Sequence, residues 1–260
     1  EVAAIARKYD LAIELNKLWL EVDPESLKAQ QTQSSLMVLS NRLDDLAPQL
    51  ATVLEQDKAS LPANLMHLNR VLSRHGDKKS VQRLVDRLAS PYDQVPEAHF
   101  AMGQAAANAS DFMRAQSEFE KALLLRPDWE PAALARAQIQ ARQSSQTAIT
   151  SLSDFVERYP NARDARLALA RLLISEKQYD AARVQFDRLI QDNPDNPEVI
   201  YPVAMLALQQ GDTTTGRAQL EKLLNSDFPD KSTLHFFIGQ IDEDKKQLEP
   251  ALQHYRQVTV

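Results

Sequence analysis

Five histidines, His67, His75, His99, His235 and His254, are the side chains of this 260-residue chain that change charge nearest neutral pH. A metal site on one helix needs two histidines four residues apart on the same face, with a further ligand close by. No pair has that spacing and no His-Glu-x-x-His run occurs, so the five read as surface or packing residues. There is no cysteine, which removes thiolate catalysis, disulfides and Cys-ligated zinc within the chain. The glycine patterns that cradle a phosphate or expose a nucleophilic serine are also missing. The charge run Asp242-Glu243-Asp244-Lys245-Lys246 reads as a solvated turn, and Trp19 and Trp129 as packing residues at helix junctions. No catalytic residue, metal or cofactor follows from these spacings, and no enzyme activity is expected.

Composition points to the elements that would hold a different kind of site. Hydrophobic residues make up 43% and charged residues 25%, the balance of a folded chain. Glycine is scarce, at 5, while proline reaches 13. Sparse glycine with spaced prolines predicts helices joined by short turns. A net charge of -6 argues against nucleic-acid binding, which leaves a basic stripe or domain. No apolar run is long enough to predict a transmembrane helix. The absence of cysteine fits the periplasm and the cytoplasm equally. No signal peptide or lipobox is visible at Glu1, and a helical pattern is already under way there, which leaves room for a segment ahead of it.

The strongest signal is a repeat. With Pro96 as position 1, Met102 and Gly103 occupy positions 7 and 8, Ala115 position 20, Phe119 position 24, Ala122 position 27 and Pro127 position 32. Pro62 precedes Pro96 by 34 residues, Pro160 follows Pro127 by 33, and Pro194 follows Pro160 by 34. In the same register lie Leu169-Ala170, Ala182, Phe186 and Leu189, then Val203-Ala204, Gly216, Leu220 and Leu223, and finally Ile238-Gly239, Ala251, Tyr255 and Val258. Small residues at 8 and 20 let two helices approach closely, and large apolar residues at 7, 24 and 27 fill the space between hairpins. Proline at 32 ends the second helix because it has no N–H to continue it. Ser110-Asp111, Gly76-Asp77 and Gly211-Asp212 are expected to turn the chain and cap each second helix. Pro131, Pro202 and Pro250 are read at helix starts. Bulky substitution of Ala182 or Ala170 is expected to disrupt the array.

This spacing resembles the tetratricopeptide repeat family. The resemblance implies an all-α, right-handed α-α superhelix of about eight hairpins, the first incomplete, in one solenoid over 1–260. Its repeats are degenerate over 1–61, where Ala12, Pro24, Leu46, Ala47 and Leu50 mark them, and clearer over 62–260. It further implies a concave groove lined by positions 2, 5, 9, 12 and 13 of each first helix. Position 5 reads Met66, Phe100, Leu134, Leu167, Tyr201 and Phe236. Position 9 reads Arg70, Gln104, Gln138, Arg171, Met205 and Gln240. Positions 12 and 13 add Arg142, along with Arg74, Asn108, Ile174, Leu208, Gln209, Glu243 and Asp244. Family members that clamp chaperone carboxylates carry Lys at 5 and Asn at 9, a pair missing from every unit here. The expected groove is an apolar spine flanked by amides and arginines, suited to a protein or peptide partner; the alternative is that position 5 packs internally.

The units YDLAIELNKLWLEVDPES and YDAARVQFDRLIQDNPDNPEV are also similar to those of bacterial outer-membrane tetratricopeptide lipoproteins. Those proteins present a carboxyl-terminal processing protease with its substrates, which implies a periplasmic, outer-membrane-anchored adaptor. A substrate-binding arm of a larger enzyme, such as a glycosyltransferase, is the alternative.

Overall fold

The computed structural model describes residues 9–39, 43–56, 58–73 and 75–259. Among the described residues there are fifteen α-helices, one 3-10 turn at Ser90–Tyr92 and no strand. The chain divides into two compact units, Glu1–Ala148 and Ile149–Val260, with the division inside the first turn of α9. The first unit holds α1 (Tyr9–Val22), α2 (Leu27–Leu39), α3 (Leu43–Gln56), α4 (Leu61–Leu72), α5 (Lys78–Ala89), α6 (Pro96–Asn108), α7 (Phe112–Leu125) and α8 (Glu130–Ala141). After α9 (Ser145–Arg158), the second unit holds α10 (Arg163–Ser175), α11 (Tyr179–Asp192), α12 (Pro197–Gln209), α13 (Thr213–Leu224), α14 (Lys231–Asp244) and α15 (Leu248–Tyr255). Among the described residues the order is one helix followed by seven helix–turn–helix pairs. Within each unit consecutive helices pack on one another, and α4 also packs on α6, as first helices do in a solenoid.

The hairpin turns repeat one geometry. Ser110, Lys177, Gly211 and Lys246 all have left-handed backbone, with φ of 64, 59, 79 and 59°. At each the next N–H reaches back five residues, as from Asp111 to the Ala106 carbonyl at 2.8 Å and from Gln178 to the Leu173 carbonyl at 2.8 Å. This is the Schellman stop, which satisfies the last carbonyls of the first helix. Only Gly211 meets the left-handed requirement without a Cβ. The second helix then starts on a cap: the Asp77, Asp111 and Asp212 carboxylates accept from the N–H of Ser80, Arg114 and Thr215.

Packing follows the register. Ala115, Ala182 and Ala251 at position 20 are buried, and Phe119 and Phe186 at position 24 are among the largest fully buried side chains. Burying one such ring contributes about 1.5–3 kcal/mol. Gly103 lies against the Phe119 ring so closely that a Cβ there would sit 2.6 Å from it, and Gly239 stands in the same relation to Tyr255. The small residue at position 8 therefore makes room chiefly for the aromatic at position 24. Gly216, at position 20, faces Leu208 and the Ala204 carbonyl.

Three sequence expectations change. Pro202 is the sixth residue of α12 and not its start, so the Glu198 carbonyl lacks its usual donor. Asp242 is fully buried and ion-paired with Arg217, while the rest of its charge run is exposed. Trp19 is 39% exposed, on a face of α1 it shares with Leu15 and Leu18.

Candidate groove in the first unit

Three successive first helices, α4, α6 and α8, bring side chains to one open cavity of about 430 Å³. Met66, Asn69 and Arg70 come from α4, Gln104, Ala107 and Asn108 from α6, and Ala135, Gln138 and Ile139 from α8. Met66, Arg70, Gln104, Asn108 and Gln138 are thus the predicted groove residues that the structure brings together. The wall is mostly amide and guanidinium. Asn69 donates from Nδ2 to the Ala101 carbonyl at 2.8 Å and to Gln104 Oε1 at 3.3 Å, tying α4 to α6. Its Oδ1 is buried without a partner. Asn69 sits at position 8, where a small residue is the family pattern, so the register gave no reason to place it on the wall.

Beside the cavity, an Arg70 Nη2 hydrogen bond reaches His67 Nδ1 at 2.6 Å. Burial, and then the Arg70 charge, hold the His67 imidazole below its ordinary value. It is therefore neutral at pH 7 and accepts from the guanidinium. Arg142, expected in the groove, instead lays its guanidinium 4.4 Å over the Phe112 ring. Arg74 lies outside the described residues.

The apolar spine is the main correction. Phe100 is 4% exposed and Leu167 9%, so neither offers a face to a ligand. The Phe100 ring packs on Phe119 at 5.5 Å and on Trp129 at 4.9 Å, centroid to centroid. Trp129 stands in the turn leading into α8 and is covered on another side by Arg126, 4.7 Å from its ring. In the second unit Tyr201 stacks on Phe228 at 5.4 Å and 19°, again with a residue leading into the next first helix. The next hairpin closes over position 5, because its leading turn crosses above that position. Leu134 and Met66 are half-buried, and Phe236 alone of the set is exposed, at 42%.

The other predicted residues of the second unit do not converge on a described cavity. Arg171 and Gln240 are exposed, and Met205 packs on the cluster around Ile200 and Leu234. Ile174 and Leu208 are half-buried. Gln209 donates to the Tyr179 hydroxyl at 2.6 Å, and Glu243 accepts from the Tyr255 hydroxyl at 2.6 Å. That hydrogen bond to Glu243 pushes the Tyr255 phenol up to about 12.

The histidines separate into distinct settings. His75 and His99 are buried, and His99 bonds Glu118 at 2.6 Å. His235 and His254 meet across α14 and α15, Nδ1 to Nδ1 at 2.9 Å, although 19 residues part them in sequence. Among the described residues no group of three or more His, Cys, Asp or Glu could hold a metal. None of their helices is long and apolar enough to cross a membrane.

Residues 141–201 and 173–241 match the tetratricopeptide repeat family. No curated protein matches the sequence. Solved structures share the fold. A tetratricopeptide repeat protein from Parabacteroides merdae ATCC 43184 is 16% identical over 97% of this chain and 92% of its own, with a TM-score of 0.51. The protein MamA is 19% identical over 63% of this chain and 89% of its own, at 0.54. PilW, a widely conserved type IV pilus biogenesis factor, is 13% identical over 76% and 91%, at 0.55. At these identities the likeness shows a tetratricopeptide-like, all-α hairpin fold.

Proposed function

We propose that this chain is a non-catalytic scaffold that holds an extended segment of a partner protein in the groove of its first unit. The observation that carries the reading is the convergence of Asn69, Arg70, Gln104 and Gln138 from three parallel first helices on one open cavity. An extended peptide presents backbone N–H and C=O groups along its length. Carboxamides satisfy both, and a guanidinium adds attraction for an acidic residue. The tetratricopeptide match supports a role in protein binding.

The partner we propose is a carboxyl-terminal processing protease together with its substrates, with the scaffold in the periplasm at the outer membrane. The resemblance of YDLAIELNKLWLEVDPES to lipoprotein adaptors supports this finer reading. The test is a pull-down with full chain and with Gln104→Ala/Gln138→Ala. The double variant should fold normally and lose at least about tenfold in affinity, equivalent to about 1.4 kcal/mol. Retention of the same partner at unchanged affinity moves the binding surface elsewhere, and recovery of partners from the cytosol alone removes the envelope assignment.

A further inference from the structure

The hairpins of α6/α7 and α10/α11 carry the same cross-helix seat with different charges in it. In the first, His99 at position 4 meets Glu118 at position 23, and Glu118 also takes Lys121 at 3.0 Å and Arg114 at 3.0 Å. One buried carboxylate thus serves three cationic or donor groups. In α10/α11 the same positions are Arg166 and Gln185, and Arg188 takes the place of Lys121. Arg166 Nη1 donates to Gln185 Oε1 at 2.8 Å. Its Nη2 donates to the Val156 and Pro160 carbonyls at 3.2 and 3.1 Å. Two cations remain, with Ala181 at the place of Arg114, but a neutral amide stands where the carboxylate was.

The result is a buried charge without a counter-ion. Arg166 is 9% exposed, its Nε has no partner, and among the described residues neither it nor Arg188 forms an ion pair with a carboxylate. Burying a guanidinium is costly unless an anion accompanies it. Burial, and next the like charge of Arg188, lower the Arg166 affinity for its proton, and Asp192 opposes this only from a distance. Both guanidiniums line an open cavity of about 530 Å³, walled by Gln185 on α11 and by Val156, Glu157 and Pro160 at the end of α9. Glu157 also lines the cavity.

We propose that this cavity is a carboxylate-binding site, in which an acidic side chain or chain end of a partner peptide takes the place that Glu118 holds in the other hairpin. The two guanidiniums would share the incoming oxygens, a geometry arginine suits better than lysine. The site is independent of the groove of the first unit, since none of its residues is shared with it.

The test uses the full chain and fluorescently labelled hexaglutamate, followed by anisotropy, with inorganic phosphate at equal ionic strength as the second probe. A chain of net charge -6 repels hexaglutamate in general, so saturable binding reports a local site. Gln185→Glu puts a carboxylate back into the seat from within. It should raise the melting temperature and weaken hexaglutamate binding at least about tenfold. Arg188→Gln, at an exposed position, should keep the fold and weaken binding severalfold. Equal binding by wild type, Gln185→Glu and Arg188→Gln overturns the proposal. So does a lower melting temperature for Gln185→Glu. Binding of inorganic phosphate without hexaglutamate overturns the carboxylate assignment in favour of free phosphate.

Discussion

The ring of Phe100 lies 4.9 Å from that of Trp129, so the aromatic at the fifth position of one hairpin is roofed by the leading turn of the next. Phe100 is therefore core, and truncating it leaves a cavity. Phe100→Ala should cost about 3–5 kcal/mol of stability. Phe236→Ala, at a 42% exposed position, should stay within about 0.5 kcal/mol. Urea denaturation of both variants checks this; equal losses would mean the Phe100 ring is not held as described.

The close approach at Gly103 gives a second prediction. Alanine gains about 1 kcal/mol over glycine in a helix, while overpacking a buried ring costs about 1–3 kcal/mol. Phe119 is 2% exposed and has nowhere to move. Gly103→Ala should lower the melting temperature. At Gly239 the opposing ring is Tyr255, half-buried near the end of α15, which can swing away. Gly239→Ala should be neutral or mildly stabilising. The reverse order of the two variants in calorimetry would refute the argument. Ala182→Trp, at a fully buried helix crossing, should be worse than either.

Acid should act through Glu118. Burial raises its carboxyl, but hydrogen bonds from His99 and Lys121 and the charges of Arg114 and Lys121 outweigh burial and hold it below its ordinary 4.5. A carboxyl whose folded value is depressed contributes stability above its unfolded value and loses it as pH falls through the folded one. The melting temperature should fall as pH is lowered from 4.5. Glu118→Gln should cost about 1–3 kcal/mol at pH 7, since Arg114 and Lys121 are half-exposed and keep some hydration. It should also flatten the acid limb, and an unchanged acid limb would assign it to other carboxylates.

The hairpin register was legible because its determinants are local. Asp77, Asp111 and Asp212 cap helices that start one residue later, and Ala115 and Phe119 repeat within one helix face. What escaped the sequence depends on the neighbouring hairpin or on the other helix of the pair. Phe100 and Tyr201 look like groove residues until the next leading turn packs on them. His99 with Glu118, Arg166 with Gln185 and His235 with His254 are each 19 residues apart. That separation matches no single helical period, so none of the pairs shows as a motif. Asp242 reads as one charge in an exposed run because its partner, Arg217, is 25 residues away.

The left-handed turns have a consequence for how readily this protein can be improved. Ser110, Lys177 and Lys246 hold φ near 60° although each carries a Cβ, at about 1 kcal/mol apiece. Glycine would relieve that strain while giving the unfolded chain more freedom, which offsets about half of the gain. Lys177→Gly and Lys246→Gly should each raise stability by a few tenths of a kcal/mol. All three residues are exposed, at the tips between helices. The chain thus carries a small reserve of stability in its turns, open to selection or design one hairpin at a time. That reserve could offset a destabilising change in the groove without altering any residue that faces a partner there.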